Sequence, residues 1–324
     1  MLCNEIVKTF RSEAGIIETS RYVVVILGLI MPAGKLKAAR FYALLSIGAA
    51  VSTITLKFGA YKLTGSIGLF SDALESLVNL VAAIATLSAL TFAAKPADDQ
   101  YSFGYYKAEY LSSALEGVMI LVAAISICVF SVDRILHPQS IEQTGWGILI
   151  SVIAALINGR VAIALLRAGK KLRSIALKSD GRHLLTDVWT SAGIVVGLVA
   201  ANLTGWQILD PLVAILVAIN ILKEGLHILQ ETTAGLLDAA LPKKEQLIIK
   251  KVLRRYHNTG VCYQRLKTRL AGSQRFVSVN ILVPGSWSVE QGHYFCDVIE
   301  IAIANALPGT HTTTHLEPLG DNKY

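Results

Sequence analysis

The chain has 324 residues, of which 53% are hydrophobic and 16% charged, and its net charge is +7. Soluble domains carry about 25% charged residues, so the deficit indicates a surface that faces lipid. The positive charge does not indicate a nucleic-acid-binding protein, because the basic residues lie in short loops between apolar runs. The cysteines form no CxxC pair and indicate no disulfide framework; they are Cys3, Cys128, Cys262 and Cys296.

An N-terminal extension over residues 1–38 precedes the first long apolar run. Its apolar segment, residues 23–31, is too short to span a bilayer. It is an interfacial segment, a truncated signal-like stretch, or upstream sequence that is not normally translated. Met31 begins a basic stretch that ends at Arg40, and we hypothesise that Met31 is the true start and that residues 1–30 are not native. Mass spectrometry of the native N-terminus tests this, and peptides from residues 1–30 would contradict it.

Six apolar runs follow, each about as long as the 20 residues that a helix needs to cross the hydrocarbon core. They define a transmembrane domain over residues 39–232. The predicted spans are 41–62, 67–93, 109–134, 145–168, 184–204 and 209–230.

The orientation follows from the distribution of Lys and Arg, which favours the cytoplasmic side of a membrane. Fourteen basic residues lie in the N-terminal segment and in the loops 94–108 and 167–182, against two, Lys62 and Arg134, on the other side. Both termini are therefore predicted to be cytoplasmic, in a multi-pass protein of the cell membrane.

Polar residues within the second and fifth spans need a reason, since an ionisable group inside a membrane costs about 2.5–3.5 kcal/mol on insertion scales. Glu75 and Asn79 are four residues apart, and so are His183 and Asp187. This spacing puts each pair on one helix face. If the two faces meet, four oxygen and nitrogen ligands converge, which is the arrangement that a tetrahedral divalent metal needs.

The charges of the four residues also suit a metal. Glu75 and Asp187 supply two negative charges, so a bound divalent cation leaves the site neutral, which is favourable at low dielectric. The alternative is that the same residues are hydrogen-bonding groups that join helices. Spacing alone does not decide between these two interpretations.

A more polar sequence, residues 233–324, follows the spans and predicts a small α/β domain. Residues 244–256 and 290–306 have helical periodicity, residues 275–283 alternate as a half-buried strand, and residues 310–316 can form a last strand.

Several motifs in this sequence resemble those of the cation diffusion facilitator, or cation efflux, family. The similarity covers about residues 40–320. The segments that carry it are YKLTGSIGL at 61–69, PADD at 96–99, SFGYYKAE at 102–109, SIALKSDGRH at 174–183 with Asp187, and LLD at 236–238 followed by Leu241 and Pro242.

The resemblance implies a homodimeric exporter of divalent metal with six transmembrane helices and a ferredoxin-like cytoplasmic domain, working by alternating access and proton exchange. It places the transported ion on Glu75, Asn79, His183 and Asp187. The family usually has Asp or His at the position of Glu75, and Asp at that of Asn79. Oxygen-rich ligation favours Mn²⁺ or Fe²⁺. The histidine keeps Zn²⁺ among the candidates, and Co²⁺ belongs to the same class of ion. The sequence therefore does not identify the metal.

Other positions of this resemblance lie outside the spans. Tyr101 and Tyr105 stand where some members have His beside the position of Asp98, so no metal is expected there. In the cytoplasmic domain His293, His315 and Glu317 match ligand positions, with His311 or Cys296 nearby, but Gln264 and Asn280 replace His; weak metal sensing and ordinary exposed polar residues remain alternatives. Lys107 and Asp238 match a charge interlock between the transmembrane halves.

The sequence therefore predicts a divalent-metal/proton antiporter that is not an enzyme and needs no cofactor beyond the ion it transports. The substituted pair on the second helix motivates an alternative, a non-transporting dimeric membrane scaffold or metal-responsive regulator of the same fold.

Overall fold

The protein is described by a computed structural model over residues 37–59, 62, 67–137, 145–204, 206 and 208–320. The side chains of residues 67–75 lie outside the described part, and Glu75 is among them. The predicted N-terminal extension and its start at Met31 also lie outside it, except for the last two residues of the extension.

Within the described residues, six helices form the N-terminal domain, as predicted. They are α1 (Lys37–Gly59), α2 (Ile67–Ala93), α3 (Ala108–Leu136), α4 (Gly145–Leu172), α5 (Ile175–Thr204) and α6 (Leu209–Leu236).

The six helices are not equally apolar. Among the described residues, α1, α3, α4 from Leu149 and α6 from Pro211 are long and apolar enough to cross a membrane. In α2 the segment Asn79–Ala93 forms a shorter apolar helix. Helix α5 begins nine residues before the predicted span at 184, because the polar residues at its start bond to other helices and do not end it.

Small residues set the closest helix packing. Helix α3 lies against α6, and a Cβ on Gly117 would approach Leu229 Cδ2 to 2.8 Å, while one on Gly225 would approach Leu121 Cδ2 to 2.8 Å. The two glycines therefore let these backbones come together, which is the usual device for helix association in lipid. Large apolar side chains point outward, with Phe130 72% exposed. Such surfaces are rare on soluble monomers and suit contact with lipid.

The C-terminal domain has the order helix, two strands, helix, strand. Its elements are α7 (Lys243–Arg254), a short 3₁₀ turn (His257–Thr259), β1 (Cys262–Ala271), β2 (Gln274–Val283), α8 (Val289–Ala306) and β3 (Thr310–Pro318).

The three strands form one sheet in the order β1-β2-β3, with β1 antiparallel and β3 parallel to β2. Ser288 caps α8 in a reciprocal pair with Gln291, which fixes the start of that helix. Val277, Val279 and Ile281 of β2 join residues of α7 and α8 in the core. The predicted helices and strands are present within a few residues, but β1 was missed, since half of its residues are polar and they do not alternate with the apolar ones.

Candidate metal-transport site

Helices α2 and α5 meet through three of the four predicted ligands. Asn79 Nδ2 donates to Asp187 Oδ2 at 2.5 Å, and Asn79 Oδ1 lies 2.8 Å from His183 Nε2. Asn79 and His183 are each 5% exposed, and Asp187 is half-buried. The amide of Asn79 thus joins both members of the α5 pair inside the protein.

The direction of these two bonds follows from their chemistry. A carboxylate only accepts hydrogen bonds, so the NH₂ group of Asn79 must face Asp187 and its carbonyl must face His183. Because a carbonyl also only accepts, Nε2 of His183 carries the proton of the second bond. A cation bound among these groups would have to replace both hydrogen bonds, and the proton on Nε2 would have to move if that atom became a ligand.

Glu75 lies one turn before Asn79 on α2, and its side chain is outside the described part. No group of three or more His, Cys, Asp and Glu side chains placed to hold a metal occurs among the described residues. Asparagine is not one of those residue types, so this finding does not address a site made of Glu75, Asn79, His183 and Asp187, which stays a prediction.

Asp180 lies one turn before His183 on α5 and is 1% exposed. Ser46 of α1 donates its hydroxyl to Asp180 Oδ1 at 3.1 Å. The contact ties α1 to the same helix that carries His183 and Asp187. Sequence reasoning named this residue only as part of a motif, although a carboxyl group near a span also required a reason.

Glu116 lies about two turns from the start of α3 and is fully buried. Thr86 of α2 donates its hydroxyl to Glu116 Oε1 at 2.5 Å. Sequence reasoning passed over this residue too. The signal was available, since Glu116 is an acidic residue inside an otherwise apolar span.

Glu109 supports the start of α5 from the first turn of α3. Its Oε2 accepts from Ser174 Oγ at 2.5 Å and from the backbone N–H of Ala176 at 3.4 Å, and Ser174 Oγ accepts from Leu177 N at 3.2 Å. A carboxylate at a helix N-terminus satisfies backbone donors and complements the helix dipole. The orientation of α5, and with it that of His183, therefore depends on Glu109.

The loop between α2 and α3 is closed by Asp98. Its Oδ1 accepts from the backbone N–H groups of Gln100 and Tyr101, and its Oδ2 accepts from the Tyr105 hydroxyl at 2.6 Å. The hydrogen bond from Tyr105 and those from the backbone lower the pKa of Asp98. The same bond to Asp98 raises the pKa of Tyr105 to about 12. Both carboxylate oxygens are engaged by donors of the loop itself, so a metal at Asp98 would have to displace these hydrogen bonds.

Lys107 and Asp238, the predicted interlock, lie together at the junction of the two domains. Lys107 Nζ is 3.0 Å from Asp238 Oδ1 and 3.1 Å from the carbonyl oxygen of Leu236. Arg269 Nη1 also reaches Asp238 Oδ1, at 3.1 Å. Burial raises the pKa of Asp238, but the hydrogen bonds and charges of these two cations outweigh it and lower the pKa overall.

The hairpin turn between β1 and β2 adds a second contact between the domains. The N–H of Gly272 donates to the Tyr110 hydroxyl at 3.1 Å. Gly272 has a φ of +54°, and a Cβ there would come within 2.5 Å of the Tyr106 carbonyl oxygen. Only glycine therefore suits both the backbone conformation and the space. The C-terminal domain is thus anchored at the start of α3, beside Glu109.

The predicted cytoplasmic ligands are not gathered into one cluster. Gln264 Nε2 and Asn280 Nδ2 donate to the two oxygens of Glu317 at 2.6 and 2.7 Å. His315 Nε2 lies 3.6 Å from Glu317 Oε1, and His293 Nδ1 lies 3.7 Å from Asp297 Oδ2. The residues that replace histidine thus occupy Glu317.

Two further side chains near this surface are poor metal ligands at neutral pH for different reasons. Burial raises the pKa of the Cys296 thiol, so the thiolate that binds metals is disfavoured. Burial also lowers the pKa of His311, whose ring stacks on Phe276 at 5.2 Å. His311 is therefore neutral, but its ring is engaged in stacking on Phe276 within the C-terminal domain.

Comparison with known proteins decides the family. The family model described as the cation efflux transmembrane domain matches residues 43–237, and the model of the cation efflux protein cytoplasmic domain matches residues 241–319. The chain belongs to the cation efflux family. This family is one of transporters rather than enzymes, and the resemblance inferred from the motifs is confirmed.

Relatives and solved structures extend the comparison. A protein of Synechocystis sp. described as an uncharacterized transporter is 51% identical over 287 residues, covering 89% of this chain and 93% of that protein. The cation-efflux pump FieF of Salmonella newport is 28% identical over 270 residues, covering 83% of this chain and 89% of the pump.

Two solved structures each match about a quarter of this chain. The zinc form of CzrB is 36% identical, covers 26% of this chain and 97% of that structure, and has a TM-score of 0.25. The metal-bound C-terminal domain of the CzcD transporter from Thermotoga maritima is 27% identical, covers 26% of this chain and all of that domain, and has a TM-score of 0.23.

Proposed function

We propose that the protein exports a divalent metal cation from the cytoplasm across the cell membrane, by alternating access and in exchange for protons. The observation that carries this proposal is the contact of Asn79 on α2 with both His183 and Asp187 on α5. Three of the four predicted ligands converge there, within a domain of the cation efflux family.

The chemistry of the site fits an exchange of metal for protons. Glu75 and Asp187 supply two negative charges, so a divalent cation is neutralised where burial makes an isolated charge unfavourable. His183 and Asp187 both titrate and must be deprotonated to bind metal. Acidity on the outer side therefore favours release, while the near-neutral cytoplasm favours binding.

The metal is a first-row divalent ion such as Zn²⁺, Mn²⁺, Fe²⁺ or Co²⁺. One imidazole nitrogen with carboxylate and amide oxygens is compatible with each of them. The name of one relative, the cation-efflux pump FieF, supports a cation as the transported substrate. The protein would act as a homodimer in the lipid bilayer, with both termini in the cytoplasm and with Lys107 and Asp238 as the interlock that holds the transmembrane halves together.

A transport assay tests the proposal. Purified protein is reconstituted into proteoliposomes with an acidic lumen, and uptake of each of the four ions is measured. The wild type should take up at least one of them, and His183→Ala should abolish uptake. His227→Ala is the matched control, because His227 lies on α6, is exposed, and pairs with Glu231 at 3.7 Å. Full uptake by His183→Ala would contradict the assignment.

A non-transporting dimer, acting as a membrane scaffold or metal-responsive regulator, is the second candidate. It is favoured by the observation that Asn79 already satisfies Asp187 and His183 with hydrogen bonds. In that case none of the four ions would drive flux, although the protein would still dimerise. Isothermal titration discriminates further, since equal metal binding by the wild type and by the double variant Glu75→Ala, Asp187→Ala would favour the scaffold.

A further inference from the structure

Two buried carboxyl groups lie close to the proposed metal site without belonging to it. Glu116 of α3 is 0% exposed and Asp180 of α5 is 1% exposed. Each has one oxygen engaged by a hydroxyl donor, from Thr86 and Ser46 respectively. The other oxygen of each, Glu116 Oε2 and Asp180 Oδ2, accepts no hydrogen bond from the described part of the chain.

The two groups lie on neighbouring helices. Glu109 of α3 contacts the start of α5 at Ser174 and Ala176, and Glu116 and Asp180 each lie one to two turns further along these helices. The charge of Asp180 reaches Glu116, and within the described residues no Lys or Arg pairs with either carboxyl. Two carboxylates that share a buried region cannot both remain ionised, because repulsion adds to the loss of hydration. At least one of the two therefore holds a proton, and the two unengaged oxygens provide the place for it.

We propose that Glu116 and Asp180 form a proton-binding site of the transporter, separate from the four metal ligands, which releases its proton when a divalent cation binds at His183 and Asp187. This inference rests on the proposed function as a metal/proton antiporter. It assigns part of the exchanged protons to residues that do not touch the metal.

The position of Asp180 explains how metal binding at His183 and Asp187 is coupled to proton release from the pair. It lies one helical turn from His183 on α5 and interacts electrostatically with both His183 and Asp187. A divalent cation at those residues favours the ionised form of Asp180, so the proton leaves the pair for water. Conversely, a protonated pair attracts the cation less strongly. The groups that face the pair are Ser46 from α1, Thr86 from α2, and His183 and Asp187 from α5 itself.

A hydrogen-bonding role alone would not require acids at these positions. Glu116→Gln keeps the side-chain length and an oxygen that accepts from Thr86, and it removes only the ability to titrate. The variant therefore separates a proton-binding role from the joining of helices. Thr86→Val is the matched control, since it disturbs the same contact between α2 and α3 without removing a titratable group.

The test counts protons in the full-length protein in detergent, with Zn²⁺ and Mn²⁺ as probes. Isothermal titration in buffers of different protonation enthalpy gives the number of protons released per bound ion. We expect Glu116→Gln to bind the same number of ions and to release fewer protons, by up to about one per ion, with a matching decrease in the slope of log affinity against pH. Thr86→Val should release the same number of protons per bound ion as the wild type.

Infrared difference spectroscopy of the wild type gives a second measurement that needs no variant to fold. Binding of the metal should remove intensity from the C=O band of a protonated carboxylic acid. Unchanged proton release in Glu116→Gln, or no loss of that band in a wild type that binds and transports metal, would overturn the inference and leave the proposed function intact. A wild type that binds no divalent cation would instead overturn both.

Discussion

Asn79 donates its side-chain amide to Asp187 across 2.5 Å, although the two residues are 108 positions apart in the chain. The same amide contacts His183 at 2.8 Å through its oxygen. The neutral residue that distinguishes the second helix from the pattern expected for the family is therefore the link that holds the two helix faces together.

Replacing Asn79 with Asp should strengthen metal binding and lower the stability of the metal-free protein. The new carboxylate repels Asp187 when no cation is present, and adds a charged ligand when one is. We expect affinity for divalent ions to rise by about tenfold or more, with a steeper dependence on pH, because another ligand must lose its proton. Thermal unfolding with and without metal, together with isothermal titration at two pH values, measures both effects. Asn79→Ala, which adds no charge, serves as the control, and equal affinities for the two variants would contradict the prediction.

Glu109→Gln should loosen the start of α5. The change keeps one acceptor for Ser174 or Ala176 but removes the charge that complements the helix N-terminus, at a cost of about 1–3 kcal/mol for a buried charged hydrogen bond. Hydrogen exchange at Ala176 and Leu177 should accelerate and the melting temperature should fall. The control is Glu290→Gln, since Glu290 also stands in the first turn of a helix, α8, but is exposed; it should change stability by less than about 0.5 kcal/mol. Similar effects of the two changes would contradict a special role for Glu109.

Tyr105→Phe should open the loop between α2 and α3 without making it sensitive to pH near neutrality. Asp98 has a lowered pKa, so its contribution is present above the ordinary pKa of aspartate and is lost as the pH falls through the lowered value. Tyr105 has a pKa raised to about 12, so its contribution is complete below the ordinary pKa of tyrosine and is lost only as the pH rises through that value.

The stabilisation by this hydrogen bond should therefore be constant between about pH 5 and 9. We expect amide exchange at Gln100 and Tyr101 to become several-fold faster in Tyr105→Phe, by the same factor at both ends of that range. Tyr101→Phe retains the bond between Asp98 and Tyr105 and should exchange like the wild type. A factor that changes strongly across the range would show that another group controls the loop.

Glu317→Gln should leave the number of metal ions bound per protomer unchanged. The two oxygens of Glu317 are occupied by the amides of Gln264 and Asn280, so a metal would have to displace two hydrogen bonds. We expect one high-affinity ion per protomer by equilibrium dialysis in the wild type, in Glu317→Gln and in the double variant His293→Ala, His315→Ala. The loss of an ion in either variant would favour metal sensing by this domain.

The cytoplasmic domain shows where local sequence pattern is informative and where it fails. The helices α7 and α8 and the strand β2 follow from periodicity, because each buries one face. The strand β1 does not follow from periodicity, because the polar residues Gln264, Lys267 and Arg269 interrupt its pattern. Their side chains are paired with other parts of the molecule or exposed. The tertiary partners of these residues, such as Asp238 for Arg269, compensate for the weak local signal.

By itself, the sequence determined the six helices, the family and the two pairs of polar residues at helical spacing, because hydropathy and period are properties of neighbouring residues. The tertiary structure decided which of those residues meet. Contacts of Asn79 with His183 and Asp187, of Thr86 with Glu116, and of Ser46 with Asp180 depend on how each helix is rotated and how closely it packs, and no local pattern encodes that rotation. The burial of Glu116 and of Asp180 is for this reason visible only in the folded protein.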